Sequence, residues 1–259
     1  MIDLHCHVLP GIDDGPETIE GSLALARAAL AAGTSTLVAT PHVSWRYRNT
    51  PDIIERAAEQ LRARLSDEEI GLELLTGAEI AMTRVGELGE DELTELRLGG
   101  GAWLLIEPPF TPVATGLQET VLGLLDRGHR VLLAHPERCP TIHRDPGLLE
   151  SLVAAGVLTS VTAGSLAGHF GEHVRRFALS LFERGLVHNV ASDAHDHVNR
   201  APGMAQEIER AGLGALTDWL TAAVPAAILE GSGPIPARPA LEASGLASGR
   251  GWRSVWRRR

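Results

Sequence analysis

The sequence predicts an α/β protein, a parallel sheet with helices packed outside it. Three observations carry this. Strand-like and helix-like segments alternate about seven times, the pattern of repeated βα units. The 259 residues are enough for one α/β barrel and for a substantial core. Imidazole and acidic side chains also stand just past strand after strand, where a parallel barrel gathers its loops on one side.

The first eight residues read as a short strand. Ile2 and Leu4 alternate with Asp3, His5 and His7, and period two sets the three polar groups on one face. A loop from Pro10 to Gly15 follows. Pro16 suits a first helical position, with Asp14 or Gly15 near the cap. Leu23, Ala26 and Leu30 make the apolar stripe of a helix that Gly33 stops. Thr36 to Thr40 is a buried strand followed by Pro41 and His42, and a helix runs from Asp52 to Leu65. Leu72 to Thr76 is the next strand, leading to Glu79. A short helix from Asp91 to Arg97 then precedes strand Ala102 to Ile106 and Glu107.

The alternation continues with helix Val113 to Asp126, strand Arg130 to Ala134, and His135. Helix Pro146 to Ala155 precedes strand Val157 to Val161. A long helix from Leu166 to Arg184 precedes strand Leu186 to Ala191, after which come Asp193 and His195. Helices Pro202 to Ala211 and Ala215 to Leu229 close the pattern. From Gly231 the chain turns rich in Gly, Pro, Ser and Ala and ends in an arginine run. Residues 1–230 therefore read as one domain and 231–259 as a flexible tail, with a tryptophan-bearing docking segment as the sharper alternative.

Composition narrows the function. Apolar residues at 44% and charged residues at 22% describe an ordinary water-soluble domain. The longest apolar runs are too short for a membrane span, and no signal peptide is evident. The net charge of −10 disfavours nucleic acid as a partner. All 23 basic residues are arginine, which excludes P-loop lysine and Schiff-base chemistry. Cys6 and Cys139 are too few for a disulfide framework and suit a reducing cytoplasm.

His5, His7, His42, His135 and His195, with Asp14, Glu79, Glu107 and Asp193, converge on one mouth if every strand ends there. Carboxylates gathered so closely repel one another and lose hydration unless cations compensate. Imidazole with carboxylate suits Mn, Fe or Zn, and nine ligands are too many for one ion, so two or three divalent ions are expected. His129, His143, His169, His173, His188 and His197 fall outside this register. Thiol chemistry is disfavoured. Cys6 alternates away from the site, and the segment from Cys139 to Arg144 is one residue short of a phosphate-binding Cys-Arg loop. Arg138 and Arg200 stand beside the site, and an arginine fork matches phosphate. Trp45-Arg46-Tyr47-Arg48 after His42 reads either as an aromatic and cationic rim or as an ordinary exposed loop.

The segments Met1 to His7, Gly11 to Pro16, Ala39 to His42, Gly77 to Ile80, His135 to Arg138 and Ala191 to His195 resemble the polymerase-and-histidinol-phosphatase (PHP) superfamily. More narrowly, they resemble the bacterial PHP-type protein-tyrosine phosphatases of capsule and exopolysaccharide systems. The likeness covers about residues 1–230, with Ile-Asp-Asp-Gly-Pro its most specific part. It implies a distorted (β/α)7 TIM-like barrel and a trinuclear centre, often of manganese, held by His5, His7, Asp14, His42, Glu79, Glu107, His135, Asp193 and His195. It implies phosphate contacts from Arg138 and Arg200, and a tyrosine-phosphorylated autokinase as substrate. Val43 stands where relatives often carry a second histidine, and Pro108-Pro109 replaces a more polar stretch.

The expected reaction is phosphomonoester hydrolysis by a metal-bridged hydroxide, with Asp14 as a candidate proton donor. The runner-up is a PHP phosphatase of a small metabolite such as histidinol phosphate. A PHP nuclease and a non-catalytic barrel are weaker alternatives. The sequence leaves a homo-oligomer open.

Overall fold

The structure, a computed structural model, describes residues 1–111, 115–231 and 233–240. Nine short strands appear among them: β1 (Ile2–Cys6), β2 (Thr36–Ala39), β3 (His42–Val43), β4 (Glu73–Thr76), β5 (Glu79–Ala81), β6 (Trp103–Glu107), β7 (Arg130–Ala134), β8 (Leu158–Thr162) and β9 (Asn189–Ala191). Every ladder is parallel, in the orders β1-β2-β4 and β3-β5-β6-β7-β8-β9.

The two ladders are one barrel wall bent along a line. Pro41 has no N–H to donate and interrupts the second strand between β2 and β3. Gly77 interrupts the third between β4 and β5. Across the bend, Gly77 N–H still donates to Ala39 O at 2.9 Å and Glu79 N–H to Pro41 O at 3.1 Å. Counting each bent pair as one strand leaves seven positions, as the sequence predicts. The wall closes between its ends: His7 N–H donates to Ala194 O at 2.9 Å and Asp193 N–H to His5 O at 2.8 Å. Asp3 bonds the Ser192 N–H at 3.0 Å and the Ser192 hydroxyl.

Leu104, Leu105 and Ile106 of β6 and Val131, Leu132 and Leu133 of β7 are all fully buried, as continuous apolar strands covered on both faces must be. The flanking helices are α1 (Ile19–Ala31), α2 (Pro51–Asp67), α3 (Glu90–Glu95), α4 (Leu117–Asp126), α5 (Pro140–Arg144), α6 (Pro146–Ala154), α7 (Ala163–Ala167), α8 (Glu172–Glu183), α9 (Met204–Arg210) and α10 (Val224–Glu230).

Several boundaries differ from expectation. α1 starts at Ile19 behind a Thr18 cap, because residues 11–15 are drawn into the mouth instead. A Cβ on Gly15 would lie 2.2 Å from His7 O, so only glycine fits there. The expected long helix from Leu166 to Arg184 is two helices, broken where Gly168 and Gly171 take φ of 86° and 91°. The last helix is shortened to α10, preceded by a π-helical turn at Trp219–Ala223 beside Pro225, which lacks an N–H. Val113, the expected start of the fourth main helix, lies outside the described residues.

The tail boundary shifts as well. Trp219 Nε1 donates to Pro236 O at 2.9 Å, Arg238 donates to Phe182 O at 2.8 Å, and Ile235 packs on the core. The segment from 233 to 240 is thus fastened to the body rather than loose. Residues 241–259, with the tryptophan and arginine run, lie outside the described residues.

Candidate metal centre

Because the strands are parallel, their C-terminal ends open on one side, and the nine expected side chains meet there. β1 delivers His5 and His7, β3 His42, β5 Glu79 and β6 Glu107. His135 follows β7 and Asp193 follows β9, with positive φ of 30° and 51°. Such backbone is uncommon outside glycine and here turns both side chains inward.

Glu79, 1% exposed, is the hub. Its Oε2 lies 3.3 Å from His5 Nε2, 3.4 Å from His7 Nε2 and 3.0 Å from His42 Nδ1, and its Oε1 lies 2.7 Å from His135 Nε2. Burial opposes its ionisation, but the charge on His5 and hydrogen bonds from His135 and His42 hold it well below the usual carboxylate range. Glu107 is affected the opposite way. Burial, then the charge of Glu79, pushes it up to about 8. Burial and the charge on Arg138 push His135 down to about 4.

Three overlapping sets emerge. His7, Asp14, His42 and His195 form one, His5, His7 and Asp193 a second, and His42, Glu79 and Glu107 a third; within each set the donor atoms lie within 4.8 Å of one another. Asp14 Oδ1 lies 3.3 Å from His195 Nε2 and 3.4 Å from His42 Nε2. Although burial favours its protonation, His195 holds Asp14 ionised below the usual range. That suits Asp14 to face a cation.

Arg138 and Arg200 both reach the mouth. Their guanidinium groups donate to the same oxygen, Asp193 Oδ2, at 2.7 and 2.8 Å, while Asp193 Oδ1 faces His5 and His7 at 3.6 Å each. Arg138 is stacked between Phe110, at 4.9 Å, and Phe170, at 4.2 Å. A cavity opens beside Asp193 and Arg200, bounded by Thr162, His169, Phe170 and Asn199.

One participant escaped the sequence reading. Asp13 accepts from His7 Nδ1 at 2.7 Å and from the backbone N–H groups of Gly15 and His42 at 2.9 and 3.1 Å. The only signal for it was the doubled aspartate, of which strand-end logic selects one. The other histidines stay out of the cluster: His129 pairs with Glu90, His143 with His173, and His188 with Thr159. Cys6 Sγ points away toward Ala194 O at 3.6 Å, and Cys139 Sγ toward Pro109 O at 3.7 Å. Both thiols are buried.

A family model described as "Capsular polysaccharide synthesis, CpsB/CapC" matches residues 1–212. Tyrosine-protein phosphatase YwqE of Bacillus subtilis (strain 168) is 42% identical over 199 residues, 76% of this chain and 78% of that protein. Tyrosine-protein phosphatase CpsB of Streptococcus pneumoniae is 32% identical over 219 residues, 80% of this chain and 87% of that protein. A crystal structure from work on YwqE and CpsB, described there as unique metal-dependent tyrosine phosphatases, superposes with a TM-score of 0.80 and 34% identity, over 92% of this chain and 100% of its own. The β-aspartyl dipeptidase of Fervidobacterium islandicum AW-1, with a TM-score of 0.51 and 14% identity over 88% of this chain and 72% of its own, shares the barrel fold alone.

Proposed function

The chain belongs to the CpsB/CapC family of capsular polysaccharide synthesis, and on that premise we propose that it is a metal-dependent protein-tyrosine phosphatase. The observation that carries this is the set of three overlapping imidazole and carboxylate groups beside two inward arginines, with both thiols turned away. The relatives named above are protein-tyrosine phosphatases, which favours this reading over histidinol phosphate.

The residues fit divalent cations. His5 Nε2 and His7 Nε2 lie 3.2 Å apart and aim at the same two carboxylates. His135 Nδ1 is buried without a partner. Burial, then the charge of Glu79 beside it, raises Glu107, a conflict that cations relieve. His5, His7, Asp14, His42, Glu79, Glu107, His135, Asp193 and His195 would hold two or three ions. Manganese is the foremost candidate, and iron or zinc also matches the donors. When bound, such ions neutralise phosphoryl oxygens and acidify a water.

The chain's own groups do the rest. Arg138 and Arg200 present planar forks to the phosphate and spread the charge that develops on its oxygens. Asp193 fixes both guanidinium groups beforehand, so they need no reordering during reaction. A tyrosine leaving group has a pKa near about 10, so it departs with little help from an acid. The substrate is a tyrosine-phosphorylated autokinase of polysaccharide assembly, met in the cytoplasm. In support, the matching family is one of capsular polysaccharide synthesis, and Cys6 and Cys139 are free thiols, as suits a reducing compartment.

The test is turnover of p-nitrophenyl phosphate and a phosphotyrosyl peptide before and after chelation, with metal added back. Loss on chelation, recovery with manganese and persistence in Cys6→Ser are expected. Activity that survives chelation but is lost on thiol alkylation overturns the reading.

A further inference from the structure

Beyond the metal cluster, one wall of the mouth carries positive charge in an otherwise acidic chain. It is the turn after β3. Ser44 N–H donates to Tyr47 O at 2.8 Å, Tyr47 N–H to Ser44 Oγ at 3.1 Å, and Val43 bridges Arg48. Asn49 pins the base of the turn through His42 O at 2.8 Å and Ile12 O at 3.0 Å. The turn is therefore held in one shape before any partner arrives, which lowers the ordering cost of binding.

Its side chains form a graded surface. Tyr47 lies nearest the site, its ring stacked on that of His42 at 5.7 Å and 7°. Arg46 covers Tyr47 at 5.0 Å. Farther out, Trp45 is 49% exposed, with Arg48 at 5.7 Å and Arg84 at 4.8 Å from its ring. Arg84 follows β5, so two successive loops are joined into one wall. Arg84 also pairs with Glu87, but Arg46 and Arg48 are exposed and have no carboxylate partner among the described residues. Exposed arginine held in place by aromatic rings, without an acid of its own, offers positive charge that complements an acidic partner.

We propose that the Ser44–Arg48 turn is a docking surface for an acidic stretch of polypeptide flanking the phosphotyrosine. The inference rests on the phosphatase reading above. It extends that reading from the phosphate to the surrounding chain. Because Tyr47 touches His42, a segment lying along the turn is continuous with the residue whose phosphate enters the mouth. An extended chain advances about 3.3–3.6 Å per residue, and Arg46 is joined to His42 by steps of 5.0 and 5.7 Å through Tyr47, so Arg46 meets side chains within about three positions of the phosphotyrosine and Arg48 those farther out along the turn.

The experiment compares kcat/KM of the manganese-loaded enzyme on two phosphotyrosyl peptides, one with Asp and Glu flanks and one with Ala flanks. Wild type prefers the acidic peptide by about tenfold at low salt, and the preference collapses near about 1 M salt, where screening acts within about 3 Å. Arg46→Gln/Arg48→Gln, checked for a wild-type melting temperature, abolishes the preference, and Arg46→Glu/Arg48→Glu reverses it. A wild type without preference, or variants that keep it, overturns the docking surface while leaving the phosphatase reading intact. Binding of the turn to vesicles of anionic lipid, with no discrimination between the peptides, overturns it too. Failure of wild type on both peptides and on p-nitrophenyl phosphate overturns the phosphatase reading and the dock together.

Discussion

Asp13 Oδ2 lies 2.7 Å from His7 Nδ1, and His7 thereby turns its Nε2 toward Glu79 at 3.4 Å and Asp193 at 3.6 Å. The carboxylate fixes both the ring's orientation and the proton on Nδ1. Asp13 is a positioning residue on this geometry. Asp13→Asn should weaken metal affinity or activity by about 10–100-fold. Activity measured against manganese concentration separates the two effects, and an unchanged midpoint with unchanged kcat would remove Asp13 from the machinery.

Glu79 faces four imidazoles with two oxygens. Glu79→Gln keeps the size but loses the charge and one acceptor. The expected result is background turnover together with lower bound metal by elemental analysis. His5→Ala should do the same. A fully metallated, active Glu79→Gln protein would show that the cluster does not depend on its hub.

Arg138 bonds Asp193 and lies between two phenylalanine rings, so its planar shape matters as well as its charge. Arg138→Lys retains the charge and loses both the fork and the stacking. We expect kcat/KM on phosphotyrosyl peptide to fall by about 10²-fold. Phe170→Ala, which loosens the clamp without touching charge, should give a smaller loss of the same kind. Equal activity of wild type and Arg138→Lys would count against a bidentate role.

His188 gives the fold a dependence on pH away from the mouth. Burial, then the charge on Arg238, pushes it down to about 4, and its Nδ1 faces Thr159 N–H at 3.3 Å. The folded state thus prefers the neutral ring. Its contribution is complete above the unfolded value of about 6.5 and is lost as pH falls toward about 4. The full loss is on the order of 3 kcal/mol. Urea unfolding at pH 7.5 and pH 5 should show a steeper decline for wild type than for His188→Gln. Parallel declines would refute the assignment.

The nine converging side chains were legible because a parallel barrel gathers its strand ends on one side: His5, His7, Glu107, His135, Asp193 and His195 lie at or shortly past such ends, His42 and Glu79 at the bends of the second and third strands, and Asp14 in the loop after β1. Asp13 was not, because the direction of a loop side chain depends on what it meets, here His7 Nδ1 and two backbone amides. The break near Gly168 hid within a helical apolar pattern, since periodicity does not register a left-handed glycine. The bends at Pro41 and Gly77 have local causes, but only pairing across the wall shows β2 with β3, and β4 with β5, to be continuing strands. Trp45 to Arg48 was visible as composition, and its stacking on His42 and Arg84 required the fold.

The segment from 233 to 240 crosses the barrel near Trp103, Arg130 and Leu158, where β6, β7 and β8 begin. Gly233, Pro234 and Ile235 therefore brace the underside, opposite the opening, where the chain closes the base of three strands without entering the mouth.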